Sequence, residues 1–322
     1  MKACVVQELS GPSGMAYTDV PDVSPGPADL LIDVRAAGVC FPDLLLSKGE
    51  YQLKLPPPFV PGMEVAGVVA AAPDGTEFAV GQRVSASSVL GGYAEQVVVS
   101  PDGVRPSPPE LDDAEAVSLL VNYNTMYFAY TRRAALRPGE TVLVLGSAGG
   151  VGTAAIQVAK AMGARVIAAV HRPGAVDFVS SLQPDAVIQL SEGWPQAVKD
   201  ATDGHGVDVV VDPVGGEAFD EAIRVMATDG RLLVIGFAAG AGIPTVKVNR
   251  LLLRNVGVLG VGYGEYIRRD PAAAVEVAQG LERLVSAGLR PPPPQRYPLS
   301  EGSRALQALH DGGVFGKLVL EP

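Results

Sequence analysis

Residues 146–152 read GSAGGVG, four glycines in seven positions, directly after the apolar run VLVL and directly before VGTAAIQVAKAMG. Such a turn presents main-chain N–H groups with no side chains in the way, and the chemistry open to it is the grip of a diphosphate. Gly146 permits a tight exit from a strand. Gly149 and Gly150 let the backbone approach a pyrophosphate, Ala148 and Val151 belong to the same cradle, and Gly152 lets the following helix pack close to the sheet. The amides of Gly150 to Thr153 form an anion site where the helix begins. The spacing Gly-x-x-Gly-Gly-x-Gly departs from the strict dinucleotide fingerprint, so its weight comes from its place between a strand and a helix; a packing turn with no ligand is the alternative. About twenty residues beyond such a turn, an acid would bind a ribose 2′-hydroxyl. At that distance from Gly152 stands Arg172, preceded by His171, with no Asp or Glu in between. An arginine there suits a 2′-phosphate and favours NADP(H) over NAD(H), unless it is only a solvated surface residue.

The elements around this turn are legible as a pattern. TVLVLG, ARVIAAV, DAVIQL, VDVVVDPV, GRLLVIGF and GVLGVG are strand-like runs, and VGTAAIQVAKAMG, GAVDFVSSL and WPQAVKDATDG are helical segments between them. Continuous Val/Ile/Leu runs separated by amphipathic helices predict a parallel sheet covered on both faces, a doubly wound nucleotide-binding domain over roughly 123–265. Residues 1–122 read instead as short strands broken by turns, among them KACVVQEL, LLIDVRAAGV, EVAGVVAAA, QRVSAS and AEQVVVS. After Pro108 a helical stretch begins with acidic cap-type residues, DDAEAVSLLVNYNTMYFAYTRRA. The tail, 266–322, carries two helices around the stiff RPPPPQRYPL and closes on GKLVLEP. It is too short for a separate domain and is expected to return to the first. The fold class is therefore α/β, a doubly wound sheet plus a β-rich domain.

Composition sets the outer limits. With 48% hydrophobic and 19% charged residues, a sizeable core is available and long disorder is not expected. The net charge of −10 excludes nucleic acid or an anionic membrane held by bulk electrostatics. Two cysteines, Cys4 and Cys40, rule out a disulfide scaffold and suit a reducing cytoplasm. The N-terminal MKACVVQELSG lacks the long apolar region of a secretory signal. Val142 to Ala159 is uncharged and long enough to suggest a membrane span, but its glycine cluster reads as strand, turn and buried helix.

The segments AGVCFPDLLLSKGEY, PGMEVAGVV, GSAGGVGTAAIQVAK, VDVVVDPVGG, GRLLVIGF and FGKLVLEP occur in this order over essentially the whole chain. Together they resemble the zinc-free quinone oxidoreductase branch of the medium-chain dehydrogenase/reductase superfamily. The resemblance implies a GroES-like catalytic domain built from both chain ends, a Rossmann domain between them, and a homodimer. Zinc alcohol dehydrogenases carry a Cys where Cys40 stands and a His where this chain has Met63; a third ligand is expected in the segment that reads LLVNYN here. Cys40 with Glu64 supplies at most two of the three ligands a catalytic zinc needs, so no metal is expected. Without a Lewis acid, a quinone or conjugated enone is the suitable acceptor, because hydride addition leaves a delocalised charge.

The resemblance also implies roles. Tyr51 lies near the acceptor as proton donor or orienting group, or merely lines the cleft. Thr125, flanked by Asn122 and Asn124, lies near the nicotinamide ring. Cys40 takes a position commonly held by Asn, and a small buried apolar residue is its plainer reading. Pro213 and Val214, with Gly236, Phe237 and Ala238, follow two strands at the carboxyl edge and face the adenosine and nicotinamide. Lys317 resembles a residue near the cofactor phosphates or ribose, or is a plain surface lysine. Ala175 stands where a second 2′-phosphate lysine is common, which leaves that task to Arg172. The expected activity is NADPH-dependent reduction of quinones. An enoyl-thioester or 2-alkenal reductase, with Arg132, Arg133, Arg268 and Arg269 as a basic patch, is the alternative within enzymes. An NADPH-binding, redox-linked module with little turnover is the alternative outside them.

Overall fold

A computed structural model describes residues 1–87, 90–240 and 242–322. The chain forms two compact units, Asn122–Arg290 and Met1–Val121 with Pro291–Pro322.

The Asn122–Arg290 unit is built on six strands: β1 (Thr141–Val144), β2 (Arg165–Val170), β3 (Ala186–Gln189), β4 (Val207–Asp212), β5 (Met226–Val234) and β6 (Gly257–Gly260). They lie in the order β3-β2-β1-β4-β5-β6, and every neighbouring pair is parallel. The central strands are apolar on both faces because helices cover both, and β1 is buried along its whole length. Strand order reverses between β1 and β4, so the crevice of the doubly wound fold opens at the carboxyl ends of that pair. The uncharged run Val142–Ala159 resolves into β1, the glycine turn and the helix Gly150–Ala161. Among the described residues, no helix is long and apolar enough to cross a membrane.

Two boundaries differ from the sequence reading. The helix Pro271–Ser286, expected to leave with the tail at 266, belongs to this unit, and the return begins at Pro291. Gly280 is the reason: a Cβ there would stand 2.2 Å from Cζ of Tyr127, so the helix sits against that ring, and Glu276 pairs with Arg132. The stretch 112–134 is not one helix but three pieces, Asp113–Ser118, Val121–Phe128 and the π-helical Ala129–Ala134. The first is set by a capping box. The Asp112 carboxylate accepts from Glu115 N (2.8 Å) and the Glu115 carboxylate from Asp112 N (3.0 Å).

The other unit carries a seven-stranded sheet. Gln295–Pro298, Leu318–Glu321, Leu30–Val39, Glu64–Ala71, Arg83–Ser87 and Val104–Pro106 follow one another, and Gln96–Val99 also pairs with Leu30–Val39. The closing strand runs antiparallel to Leu30–Val39 in the register Leu318↔Val39. The tail thus joins the first unit, and Lys317 arrives level with Cys40. Leu30, Ile32, Val65, Val84, Leu318 and Leu320 anchor the core beneath this sheet. A helix the sequence did not announce, Phe41–Ser47, follows Cys40. Cys40 is its extended N-cap, Pro42 fits the first turn, and the Asp43 side chain accepts from Cys40 N at 2.9 Å.

Candidate active site

The glycine turn closes as its spacing demands. Gly146 leaves β1 with φ +59°. A Cβ on Gly152 would come within 2.2 Å of Gly146 O and 2.6 Å of Ser147 Cα, so only glycine lets the helix start under the turn. Gly149 is the extended N-cap of the helix Gly150–Ala161 and provides no side-chain cap. The amides of Gly150, Val151 and Gly152 have no carbonyl one turn back to bond, which leaves them as donors for an anion, whereas Thr153 N, expected among them, already donates to Gly149 O at 2.8 Å. Behind them Thr153 Oγ1 is buried without a protein partner.

The loops after β4 and β5 meet this turn. A Cβ on Gly146 would lie 2.7 Å from Val214 Cγ2 and 3.4 Å from Pro213 Cγ. Ala238 N donates to Pro213 O (3.1 Å), and Ala239 N to Val214 O (3.0 Å). Gly146, Pro213, Val214, Gly236, Phe237 and Ala238 are thereby gathered at one sheet edge, with the Phe237 ring 41% exposed. Asp212 ends β4 fully buried. Its Oδ1 accepts from Val214 N (2.9 Å) and Gly215 N (2.8 Å), which shapes the loop, while Oδ2 has no protein partner. His171 and Arg172 follow β2, His171 exposed and Arg172 half-buried, where Arg172 O accepts from Ala175 N at 3.0 Å.

In the first unit a buried cluster surrounds Cys40. Its Sγ donates to Glu64 Oε1 at 3.1 Å and accepts from Lys317 Nζ at 3.1 Å. Lys317 Nζ also donates to Val39 O at 3.1 Å and is ion-paired with Glu64 Oε1. Glu64 Oε2 accepts from Val121 N at 2.7 Å. Asp43 accepts from Cys40 N, from Gly62 N (3.1 Å) and from Tyr93 OH (3.1 Å). Burial, then the Glu64 carboxylate, push the Cys40 thiol far up, so it stays protonated. Burial pushes Asp43 up to about 6, against the lowering hydrogen bond from Cys40 N. Burial alone would lower the Lys317 ammonium, yet Cys40 and Glu64 hold it above the usual lysine range. Tyr51 is half-buried beside this cluster; burial first, then Asp43 and Cys40, raise its phenol and keep the O–H in place.

Known proteins bear on this arrangement. Residues 26–109 match the alcohol dehydrogenase GroES-like domain, and residues 150–280 match the zinc-binding dehydrogenase domain. Quinone oxidoreductase-like protein 2 of Rattus norvegicus is 36% identical over 272 residues, 84% of this chain and 77% of its own. This chain belongs to the zinc-free quinone oxidoreductase branch of the medium-chain dehydrogenase/reductase superfamily. Two solved structures agree. A probable oxidoreductase from Mycobacterium abscessus is 57% identical with a TM-score of 0.93, covering 100% of this chain and 99% of that one. The quinone oxidoreductase of Thermus thermophilus, solved also with NADPH, is 36% identical with a TM-score of 0.85 over 100% of both chains. The chain is accordingly an oxidoreductase of that branch, with its GroES-like and Rossmann folds.

The zinc in the name of one matching domain does not fit this oxidoreductase. A catalytic zinc takes three protein ligands and one open position. Here Cys40 and Glu64 are both turned onto the Lys317 ammonium, and Met63 has no ligand to give. Among the described residues, no three His, Cys, Asp or Glu side chains come together as a metal site.

Lys317 is the clearest departure from the sequence reading. Its three N–H donors are taken by Val39 O, Cys40 Sγ and Glu64 Oε1, and its side chain is 7% exposed. No donor is left for a coenzyme phosphate, and it is no surface lysine. Thr125 lies half-buried in the helix Val121–Phe128. Of its two flanking asparagines, Asn124 is the buried one, with Oδ1 unpartnered. The sequence reading passed over Asp43, Tyr93 and Asp212. The signal for Asp43 was available, since an acid three residues after an extended N-cap closes a capping box. Asp212 also left one, an acid closing the strand VDVVVD straight after three valines. Tyr93 left none, because only the fold brings it to Asp43.

Proposed function

We propose that this oxidoreductase uses NADPH to reduce quinones and needs no metal ion. The observation that carries the reading is the glycine cradle, whose donors are open at the carboxyl edge where strand order reverses. In this reading the amides of Gly150, Val151 and Gly152 hold the diphosphate, with Ala148 and Gly149 shaping the approach. Arg172 and His171 serve the 2′-phosphate. Pro213, Val214, Gly236, Phe237 and Ala238 flank the adenosine and nicotinamide, and Thr125 orients the ring. When bound, NADPH supplies a hydride. A quinone takes up that hydride and one proton and leaves as the hydroquinone. Tyr51 keeps its phenolic proton through the physiological range, and in this reading it donates that proton or orients the acceptor. Cys40 stays a neutral thiol, and its role is to hold the loop rather than to attack.

A quinone is favoured over an acyl thioester by the state of the arginines. Arg132 pairs with Glu276, Arg133 donates to Gly260 O at 2.9 Å, and Arg268 and Arg269 both pair with Glu265. Two carboxylates face four arginines, so positive charge remains, but each guanidinium is already engaged by a protein acceptor rather than held free for a carrier phosphate. The test is NADPH oxidation with a chelator present, over quinones, 2-alkenals and crotonyl thioesters. The reading expects quinones to be the fastest class and the chelator to have no effect. Activity abolished by the chelator, or a preference for crotonyl thioesters, would overturn it.

A further inference from the structure

A metal ion is one way to hold a buried thiol and a buried carboxylate together, and a fixed ammonium is another. Cys40 and Glu64 come from separate segments, and both converge on the ammonium of Lys317 from the closing strand. Glu64 is fully buried and Lys317 nearly so. A buried carboxylate without its partner is strongly unfavourable, so the ammonium is an integral part of the unit. Its contacts run onward. Val39 O and Cys40 Sγ bind it directly, and Cys40 caps the helix Phe41–Ser47, which leads to Tyr51. Glu64 Oε2 receives Val121 N at the amino end of the helix Val121–Phe128, which carries Thr125. A divalent ion would draw a thiolate and a carboxylate together in the same way. One ammonium does so here and leaves the thiol its proton.

We propose that Lys317 is an internal cation standing in for a metal, a positioning residue that fixes Cys40 and Glu64 and, through them, the backbone leading to Tyr51 and to Val121. The proposal rests on the metal-free reading above and goes beyond it by naming what holds this thiol and carboxylate together without an ion. It separates two roles for this lysine. A coenzyme contact would govern NADPH affinity, whereas an internal cation governs turnover and the protection of Cys40.

Lys317→Met keeps the length and removes the charge. The expected result is a kcat for quinone reduction lowered at least about tenfold, with the NADPH Kd unchanged, since the lost partner is a buried carboxylate rather than a phosphate. Alkylation of Cys40 by N-ethylmaleimide, followed by peptide mass mapping, should accelerate by about tenfold or more, while Cys4, buried elsewhere in the unit against Leu299 O, stays protected. Lys317→Met/Glu64→Gln should recover much of the Cys40 protection, because no unpaired charge remains buried. If Lys317→Met does not fold, this double variant carries the test alone, and failure to fold there too overturns the proposal. So does a raised NADPH Kd with kcat at saturation intact, or equal acceleration at both cysteines. None of these outcomes touches the metal-free reading, which fails only if a chelator abolishes wild-type activity.

Discussion

At the scale of single residues, two side chains give sharp expectations. Arg172 stands where a 2′-phosphate would be read, with Ala175 at the place of a second cation. A charged hydrogen bond contributes about 1.5–3 kcal/mol, so Arg172→Glu should weaken NADPH by at least roughly tenfold and NADH much less. Fluorescence titration with both nucleotides checks this, and equal losses would contradict it. Asp43 gives a pH signature. Burial raises its carboxyl from 3.8 to about 6, so between those values the folded state keeps a proton that the unfolded chain has lost. The group therefore leaves stability untouched at low pH and subtracts from it as pH rises through that window, by about 3 kcal/mol at the top. Asp43→Asn cannot ionise. Its Tm relative to wild type should climb between pH 4 and 6, the window set by the two values above, and a difference independent of pH would refute the assignment.

At the scale of elements, the strands were legible because their Val/Ile/Leu runs leave little choice, and the glycine turn because its spacing sits between a strand and a helix. The helix Phe41–Ser47 was hidden by its proline and its LLL run. The Cys40–Glu64–Lys317 cluster was hidden for another reason. Lys317 and Cys40 are 277 positions apart, and only strand register joins them. The same limit concealed an apolar face. β6 ends the six-stranded sheet, and the helix Val248–Arg254 just before it shows Val248 at 72% exposure and Leu252 and Leu253 at 77%. An unpaired strand edge beside exposed leucines is the signature of a surface meant to be covered. If the homodimer that the family resemblance implies forms through this face, its occupant is a second copy of the chain. Light scattering should give a dimer for wild type and a monomer for Leu252→Asp/Leu253→Asp; a wild-type monomer, or a dimer that survives the change, would contradict the assignment.

At the scale of the whole molecule, charge sharpens the question. The chain carries a net charge of −10, so its overall field repels a polyanionic coenzyme. Whatever holds NADPH must act locally, through aligned amides and one or two side chains, and the account stands or falls on the cradle at the start of the helix Gly150–Ala161. Gly149 allows a clean test. Its backbone is extended, φ −80° and ψ 173°, and a Cβ there meets nothing nearer than Gly146 O at 3.6 Å. Aspartate suits such an N-cap and stabilises the helix over glycine by about a few tenths of a kcal/mol, yet its carboxylate would occupy the anion site itself. Calorimetric titration of NADPH into Gly149→Asp is therefore the most direct measurement. The account predicts a protein with a Tm no lower than wild type and NADPH binding at least about a hundredfold weaker, the cost of setting one unit charge against another at short range. A folded variant that binds NADPH as wild type does would show that these amides do not hold the coenzyme.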